Sequence, residues 1–423
     1  MRKCLLLGAG FSYEFGMPLT SELTETFLGL INENNAEVLK ERLSSDKPYS
    51  EDRPINKKAI SEGIEYFIEY KSGDGNNYEE FLSGLNKLGA EIGRSQSDKD
   101  SFNYLFAIFY ESIHAILSLY QKVSYEIMYG DVFKWFNKLN DLLSDNETWV
   151  FSLNHDIYFE CLAVDLSIPI SYGDVGNIQF PISNMNMNET VSFTSNDKVD
   201  INIKSPGFIL NRHGINIVKL HGGLSELEYR DIICNLPLNV VTSVELMASF
   251  SQVENMAFYH GGNKIPSGRE KVITNMDGEL DIICKSMLTG GNKYSTTSKK
   301  KKGEEKLALM DDALQETDEL TIIGYGFGDK HINYRISNSM VLNPNMVVRI
   351  IDPTSNKTPE FLEQFDYDDR IKKAYCGAPH WMHYYKSGKW DAEMTESLKS
   401  NTDKRYLIQV EVERRLHAGE FSE

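Results

Sequence analysis

The amino-terminal stretch constrains the fold more than any other part of this chain. Arg2 to Pro18 reads RKCLLLGAGFSYEFGMP. Cys4 to Leu7 is a short, unbroken apolar run, which predicts a strand buried on both faces, as in a parallel sheet. It stops at Gly8 and Gly10, passes Ala9 and the polar Ser12, meets a second punctuation at Gly16 to Pro18, and enters the helical pattern LTSELTETFLGLI. A strand, a glycine turn and a helix bring backbone amides close to a phosphate and direct a helix N-terminus at its charge. Glycine suits positions 8 and 10 because a side chain there would hold a ligand off the backbone. The dinucleotide spacing G-x-G-x-x-G would want a third glycine at position 13, where Tyr13 stands. The stretch is a nucleotide-type loop without the ordinary dehydrogenase spacing; taken alone, it also reads as a tight turn.

With 423 residues the chain has room for one large domain with insertions, or for two domains. No apolar run has the length needed to span a bilayer, and Cys4 to Leu7 is too short for a signal-peptide core, so a cytoplasmic protein without membrane association is expected. Cys4, Cys161, Cys234, Cys284 and Cys376 are far apart and form no C-x-x-C pair, which argues against a disulfide framework and a zinc ribbon. A formal charge of -18 opposes direct nucleic-acid binding, whose affinity comes largely from neutralising phosphates.

Along the chain, helical spacing covers Leu19 to Ile31 (with Thr20 or Ser21 as cap), Lys58 to Tyr70, Tyr78 to Ile92, Ser101 to Lys122 and Asp131 to Leu143. Ser44 to Asn56 reads as a loop. Further buried strands are predicted at Trp149 to Leu153, Ile215 to Leu220, Leu320 to Gly324 and Met346 to Ile351. Between Ser167 and Asn216 short β-like pieces alternate with proline and glycine. Gly261 to Lys302 is rich in glycine, and its Lys299 to Lys302 run reads as a solvated loop. The expected architecture is α/β: a Rossmann-like parallel sheet with helices on both faces, in a domain over residues 1–353. Within it lie a helical insertion (36–130) and β-rich or loop insertions (165–215 and 261–303), and 354–423 forms a helical extension suited to oligomerisation.

Each predicted strand ends at polar or glycine residues: GAGFS, LNHD, LHGG, GYGFGD and DPT. In an open parallel sheet the ligand sits outside the carboxyl ends of the strands, so these segments would line one crevice. Asn154 both donates and accepts, which suits a ribose hydroxyl or a water. Asp156 is an acceptor for an amide group, His221 a general base, and Asp352 an acid for a ribose diol. Singly, Asn154 also reads as a turn residue, Asp156 as a helix N-cap and His221 as a turn or core histidine. Their order, each at a strand end, favours a site.

The sequence resembles the sirtuin family, specifically its zinc-less bacterial branch of NAD-cleaving defence proteins. GAGFSYEFGMP is similar to that family's G-A-G-x-S…G-x-P loop, Asn154 and Asp156 to its N-x-D element, and His221 in KLHG to its catalytic histidine. GYGFGDKHIN, which holds Gly324, Gly326 and Phe327, resembles a G-Y-S-F-x-D-x-x-I-N segment, and NYEEFL resembles a helix the branch often carries. Gly326 stands where the branch usually has serine. The zinc module of protein-deacylating sirtuins, with its two cysteine pairs, has no counterpart here. The resemblance implies NAD as substrate, no metal, and hydrolysis of NAD to ADP-ribose and nicotinamide by an antiviral effector. Gly8, Ala9, Gly10 and Ser12 would cradle the pyrophosphate, Asp156 would bind the carboxamide, and Asn154 with His221 would orient and deprotonate the acceptor. A homo-oligomer follows from the same resemblance, and a hexameric ATPase of the HerA translocase kind is the partner suggested by association. The competing readings are an NAD-dependent deacylase, a non-catalytic NAD or ADP-ribose sensor, and a scaffold subunit. Cys376, His380 and His383 are the one metal-like grouping, and they lack a fourth ligand nearby.

Overall fold

The structure, a computed structural model, describes residues 1–46, 54–73, 75–197, 201–265, 267–268, 270–287, 304–389 and 392–419. The Lys299 to Lys302 run lies outside them. In chain order the strands are β1 (Lys3–Leu7), β2 (Glu147–Ser152), β3 (Ile170–Ser171), β4 (Gly176–Ser183), β5 (Asn186–Asp197), β6 (Gly214–Lys219), β7 (Leu227–Tyr229), β8 (Ile232–Asn235), β9 (Tyr259–His260), β10 (Asn263–Lys264), β11 (Glu270–Thr274), β12 (Leu280–Lys285), β13 (Glu319–Ile323), β14 (Val347–Ile351) and β15 (Ile371–Ala374).

The chain forms two compact units. One holds Met1–Met17, Tyr120–Met287 and the described residues from 304 onward; the other is built on Pro18–Leu119. In the first, a seven-stranded sheet runs β15-β14-β13-β1-β2-β6-β3, every pair parallel. Its central strands are buried throughout: Leu5, Leu6 and Leu7 of β1 are fully buried, and every residue of β6 is buried, Asn216 and Lys219 included. That is the pattern of strands covered on both faces. From β1 the sheet grows through β2 and β6 to one side, and from β13 through β14 and β15 to the other. Right-handed crossovers in opposite directions put helices on opposite faces, and the reversal falls between β1 and β13. This is a Rossmann-like α/β fold.

A separate antiparallel sheet is ordered β11-β12-β7-β8-β5-β4. Within 261–303, expected as a β-rich or loop insertion, β11 and β12 make a hairpin. Asn275 Oδ1 accepts from the amides of Asp277 and Glu279 at 3.0 and 2.9 Å, and Gly278 takes φ +82° to close the turn. Neither KVIT nor LDII alternates polar with apolar residues, so the hairpin leaves no period-two signal in the sequence.

Other boundaries differ from expectation for identifiable reasons. Residues 354–423 are not all helical, because Ile371–Ala374 is the sheet's edge strand β15. The expected helix over Asp131 to Leu143 breaks into short turns at Gly130–Phe133, Lys134–Phe136 and Leu139–Leu142. The helix Glu33–Ser45 takes in Ser44 and Ser45 of the expected loop, and residues 47–53 of that loop lie outside the described residues. The helix Thr20–Gly29 is capped from Leu19, whose amide donates to the Glu22 carboxylate at 2.8 Å, rather than by a hydroxyl of Thr20 or Ser21.

In the second unit, Phe27, Phe67, Phe81 and Phe109 form one ring cluster, with centroids 5.2–5.8 Å apart. NYEEFL serves that core: Asn77 caps the helix Tyr78–Gly89 by accepting from Glu79 N at 2.9 Å, and Tyr78, Phe81 and Leu82 are buried. By length and composition alone, Gln96–Phe136 is apolar enough to cross a membrane, which corrects the expectation that no stretch is; 56% of its most apolar window is buried inside the protein.

Candidate functional site

Six strands of the parallel sheet end in one register. Ala374, Ile351, Ile323, Leu7, Ser152 and Lys219 stand opposite one another in a single row across it. The residues that follow each strand therefore gather along one edge. From the end of β13 to the end of β6 that edge measures roughly 14 Å at ordinary strand spacing.

At the β1–β13 reversal, backbone crosses backbone. Gly8 N donates to Ile323 O at 3.0 Å, and Gly10 N donates to Gly324 O at 2.8 Å. A Cβ on Gly8 would lie 2.5 Å from Gly324 O, and one on Gly10 would lie 2.8 Å from Gly324 Cα. Gly324 itself has φ +63°. The glycines are needed because two turns meet here, which replaces the expected reason of clearance for a ligand. It also removes the amides of Gly8 and Gly10 from any phosphate cradle, since both already have acceptors. The helix expected after Pro18 is preceded by a single short one, Ala9–Tyr13, starting straight from the turn. Ala9 is exposed at its start. Within it Ser12 is 2% exposed, and its hydroxyl has no hydrogen-bond partner. Buried hydroxyls are normally paired, so this one is a place for a polar ligand atom.

Next along the row, Asn154 is buried and its Nδ2 donates to Gly8 O at 2.9 Å, tying the glycine turn to the end of β2. Asp156, also buried, accepts from Tyr158 N at 3.1 Å through Oδ1, at the start of the helix Tyr158–Asp165. The helix itself starts from Ile157 with no side-chain cap, and the Asn154 side chain reaches a turn 146 residues away, so neither residue is the simple N-cap or turn residue of the alternative reading. Lys219 Nζ donates to the Asp156 carbonyl and lies 2.9 Å from Glu160 Oε1, a fully buried pair at the base of the edge. His155 O accepts from Leu224 N at 2.8 Å, which binds the LNHD and LHGG segments together.

His221, buried, has Nε2 3.1 Å from Asp329 Oδ2. Sequence reasoning gave Asp329 no role, although it stands in GYGFGDKHIN. Its other oxygen caps the helix Lys330–Leu342, accepting from His331 N at 2.9 Å and Ile332 N at 3.4 Å. Burial pushes the Asp329 carboxyl up, but the hydrogen bond and charge of His221 and the two amides outweigh it and hold the group at about 2. A carboxylate that stays ionised against an imidazole fixes its orientation and stabilises its protonated form, as an acid–base pair requires.

Because β1 and β2 lie between β13 and β6, the segment Gly324 to Asp329 runs across their ends to reach His221. Tyr325 OH donates within it to Asp329 O at 3.0 Å. Phe327 is held at φ +57°, with its carbonyl accepting from Asn333 Nδ2 at 2.8 Å and its ring 4.9 Å from that of Tyr325. A bulky residue with positive φ is rare outside strained functional turns. A Cβ at Gly326 would meet nothing, so the serine usual at that position would fit without obstruction. Asp352, at the end of β14, accepts from both the amide and the hydroxyl of Thr354 at 2.7 Å, closing its own turn. Among the described residues no grouping of histidine, cysteine, aspartate or glutamate is arranged to hold a metal. Burial pushes the Cys376 thiol up to about 11, away from a ligating thiolate.

From β1 to β6 the edge carries a buried hydroxyl without a hydrogen-bond partner, then amide and carboxylate groups, then an imidazole held by a carboxylate: donors and acceptors for a polar ligand. No protein-family model matches the chain, and no curated protein matches it. Among solved structures it aligns with "The Structural basis of Sirtuin Substrate Affinity" at 10% identity over 92% of this chain and 94% of that one, TM-score 0.34. It aligns with "Structure of Sir2Tm bound to a propionylated peptide" at 10% identity over 92% and 93%, TM-score 0.33. Likenesses this loose assign neither family nor activity.

Proposed function

We propose that this chain is an NAD hydrolase that releases nicotinamide and ADP-ribose, and that it serves as an effector depleting NAD in bacterial antiviral defence. The observation that carries the reading is the row of strand ends, with the orphaned Ser12 hydroxyl toward one end and the His221–Asp329 pair at the other. The sequence motifs supply the choice of dinucleotide, and the NADase chemistry and the defence role rest on that resemblance.

Ser12 Oγ and the backbone at Ala9 contact the pyrophosphate, with Gly8, Gly10 and Gly324 shaping the turn. Gly326 and Phe327 wall the crevice, Asp352 takes a ribose diol, and Asp156 accepts from the carboxamide through Oδ2. Asn154 orients the ribose and the attacking water. Bound NAD supplies a glycosidic C–N bond whose leaving group departs as a neutral ring, so no protein acid has to protonate it. His221 takes the proton that water loses as its oxygen bonds to the ribose carbon, and Asp329 steadies the resulting imidazolium. A positioned base of this kind is worth about 100- to 10,000-fold in rate.

An unrestrained activity would be lethal, so the enzyme works as a gated homo-oligomer, with a HerA-type ATPase as its partner. Exposed Tyr406, Leu407 and Val410 on the last helix support self-association. The test is chromatography of NAD incubated with wild type and with His221→Ala, alone and with lysate containing candidate activators. Nicotinamide and ADP-ribose should appear one for one with wild type only. Release that requires an acylated peptide would make the protein a deacylase instead, and bound but uncleaved NAD after long incubation would make it a sensor.

A further inference from the structure

The last helix, Ala392–Ala418, is remote in sequence from the glycine turn, yet it grips the residues that follow Ser12. Arg405 Nε donates to Tyr13 O at 3.1 Å, and Arg405 Nη2 donates to Glu14 Oε2 at 3.1 Å. The same guanidinium lies over the Tyr13 ring, 4.2 Å from its centroid. One turn on, Ile408 is fully buried against Gly16, where an added Cβ would lie 2.5 Å from Ile408 Cδ1. Gly16 takes φ +96°, so both its conformation and its lack of a side chain serve this contact. Glu14 also faces Gly377, where a Cβ would collide with its Oε1, and it accepts from the amide of Ala378. Burial raises the Glu14 carboxyl above its usual range, opposed chiefly by the charge of Arg405.

These contacts fall on the two residues immediately after Ser12, whose hydroxyl has no partner of its own. Within that short helix Ser12 O accepts from the amides of Phe15 and Met17 at 3.0 and 3.2 Å, and Phe11 packs on Phe136 and Phe159; to these Arg405 adds a planar, multiply bonded guanidinium, which fixes its neighbours in angle as well as distance. We propose that Arg405 is a positioning residue for the dinucleotide: by fixing Tyr13 and Glu14 it places Ser12, and so makes the last helix part of the binding site. This rests on the NAD reading above. It assigns Arg405 to binding rather than chemistry, since the residue touches neither His221 nor Asn154.

The experiment measures NAD saturation kinetics and, independently of any ligand, amide hydrogen exchange over residues 11–17. Wild type, Arg405→Gln, Arg405→Lys and Glu14→Gln are compared, with Asp403→Asn, exposed on the same helix, as control. Arg405→Gln should raise KM roughly tenfold or more, as loss of charged hydrogen bonds does, while kcat stays within about threefold. Exchange of the Phe15 and Met17 amides should quicken. Arg405→Lys, which keeps the charge but not the fork, should fall between, and Asp403→Asn should match wild type. Glu14→Gln gives the same KM effect in smaller degree should Arg405→Gln fail to fold. An unchanged KM with unchanged exchange, or a fall in kcat alone, overturns the proposal. Wild type that never cleaves NAD overturns the functional reading instead, and the exchange data then still decide whether Arg405 holds the loop.

Discussion

At the β1–β13 reversal within the strand-end row the contacts are backbone on backbone, while at the row's β6 end one side chain holds another. Gly8, Gly10 and Gly324 meet at distances that leave no room for a methyl group, and their amides are spent on neighbouring carbonyls. His221 and Asp329 meet through a single 3.1 Å contact, with the carboxylate's second oxygen capping a helix. The reversal is fixed by sterics, so its residues should govern folding. The second is fixed by charge and hydrogen bonding, so its residues should govern turnover and leave the fold intact.

His221→Ala breaks or upholds that contrast most sharply. Turnover of NAD should fall by about 100- to 10,000-fold, with a urea midpoint close to wild type. A large loss of stability in this variant would show that the imidazole is a core residue. Gly8→Val is the converse: a side chain driven against Gly324 and Tyr325 should cost more than about 3 kcal/mol in denaturant unfolding, because backbone on both sides has nowhere to move. A Gly8→Val protein as stable as wild type would mean that the turns can part.

Asp329→Asn sharpens the comparison, because asparagine still caps the helix and only the charge is lost. A tenfold or greater fall in kcat/KM is expected, with the acidic limb of its pH profile moved to lower pH, since the anion that favours the protonated imidazole is gone. An unmoved limb would leave Asp329 as a cap alone. The same substitution has a signature in stability. A carboxyl held at about 2, below its unfolded value, stabilises the fold above pH ~4 and loses that contribution as pH falls through about 2. The gap between wild type and variant in acid unfolding should therefore close over that window. The smallest expected effect is that of Ser12→Ala, which removes a buried hydroxyl without a partner: stability within about 1 kcal/mol of wild type or slightly higher, and weaker NAD binding. A marked loss of stability would mean that Ser12 is structural.

How much of this was legible in the sequence follows the same division. The unbroken apolar run Cys4 to Leu7 and the mostly apolar Ile215 to Leu220, interrupted by Asn216 and Lys219, marked strands at whose ends the candidate site lies, because burial on both faces leaves a local signature. The short edge strands β3 and β15 carry too few residues to show any period. Asp329 was visible only as a motif residue, since its partner lies 108 positions away and no local pattern encodes such a pairing. The glycines were noticed for the wrong reason: sequence shows that a side chain is missing but not which atoms occupy its place. Arg405 was hidden in a charged helix whose register against Tyr13 and Glu14 depends on tertiary contacts alone.

The account depends on one dinucleotide lying along this row. A crystal structure of the His221→Ala protein soaked with NAD, in which cleavage is slowed enough to trap the substrate, tests it most directly. The account predicts pyrophosphate density within hydrogen-bond distance of Ser12 Oγ and the nicotinamide ribose beside Asn154 and the vacated position at 221. Density for NAD elsewhere on the molecule, or a Ser12 hydroxyl satisfied by protein with the crevice closed, would contradict it.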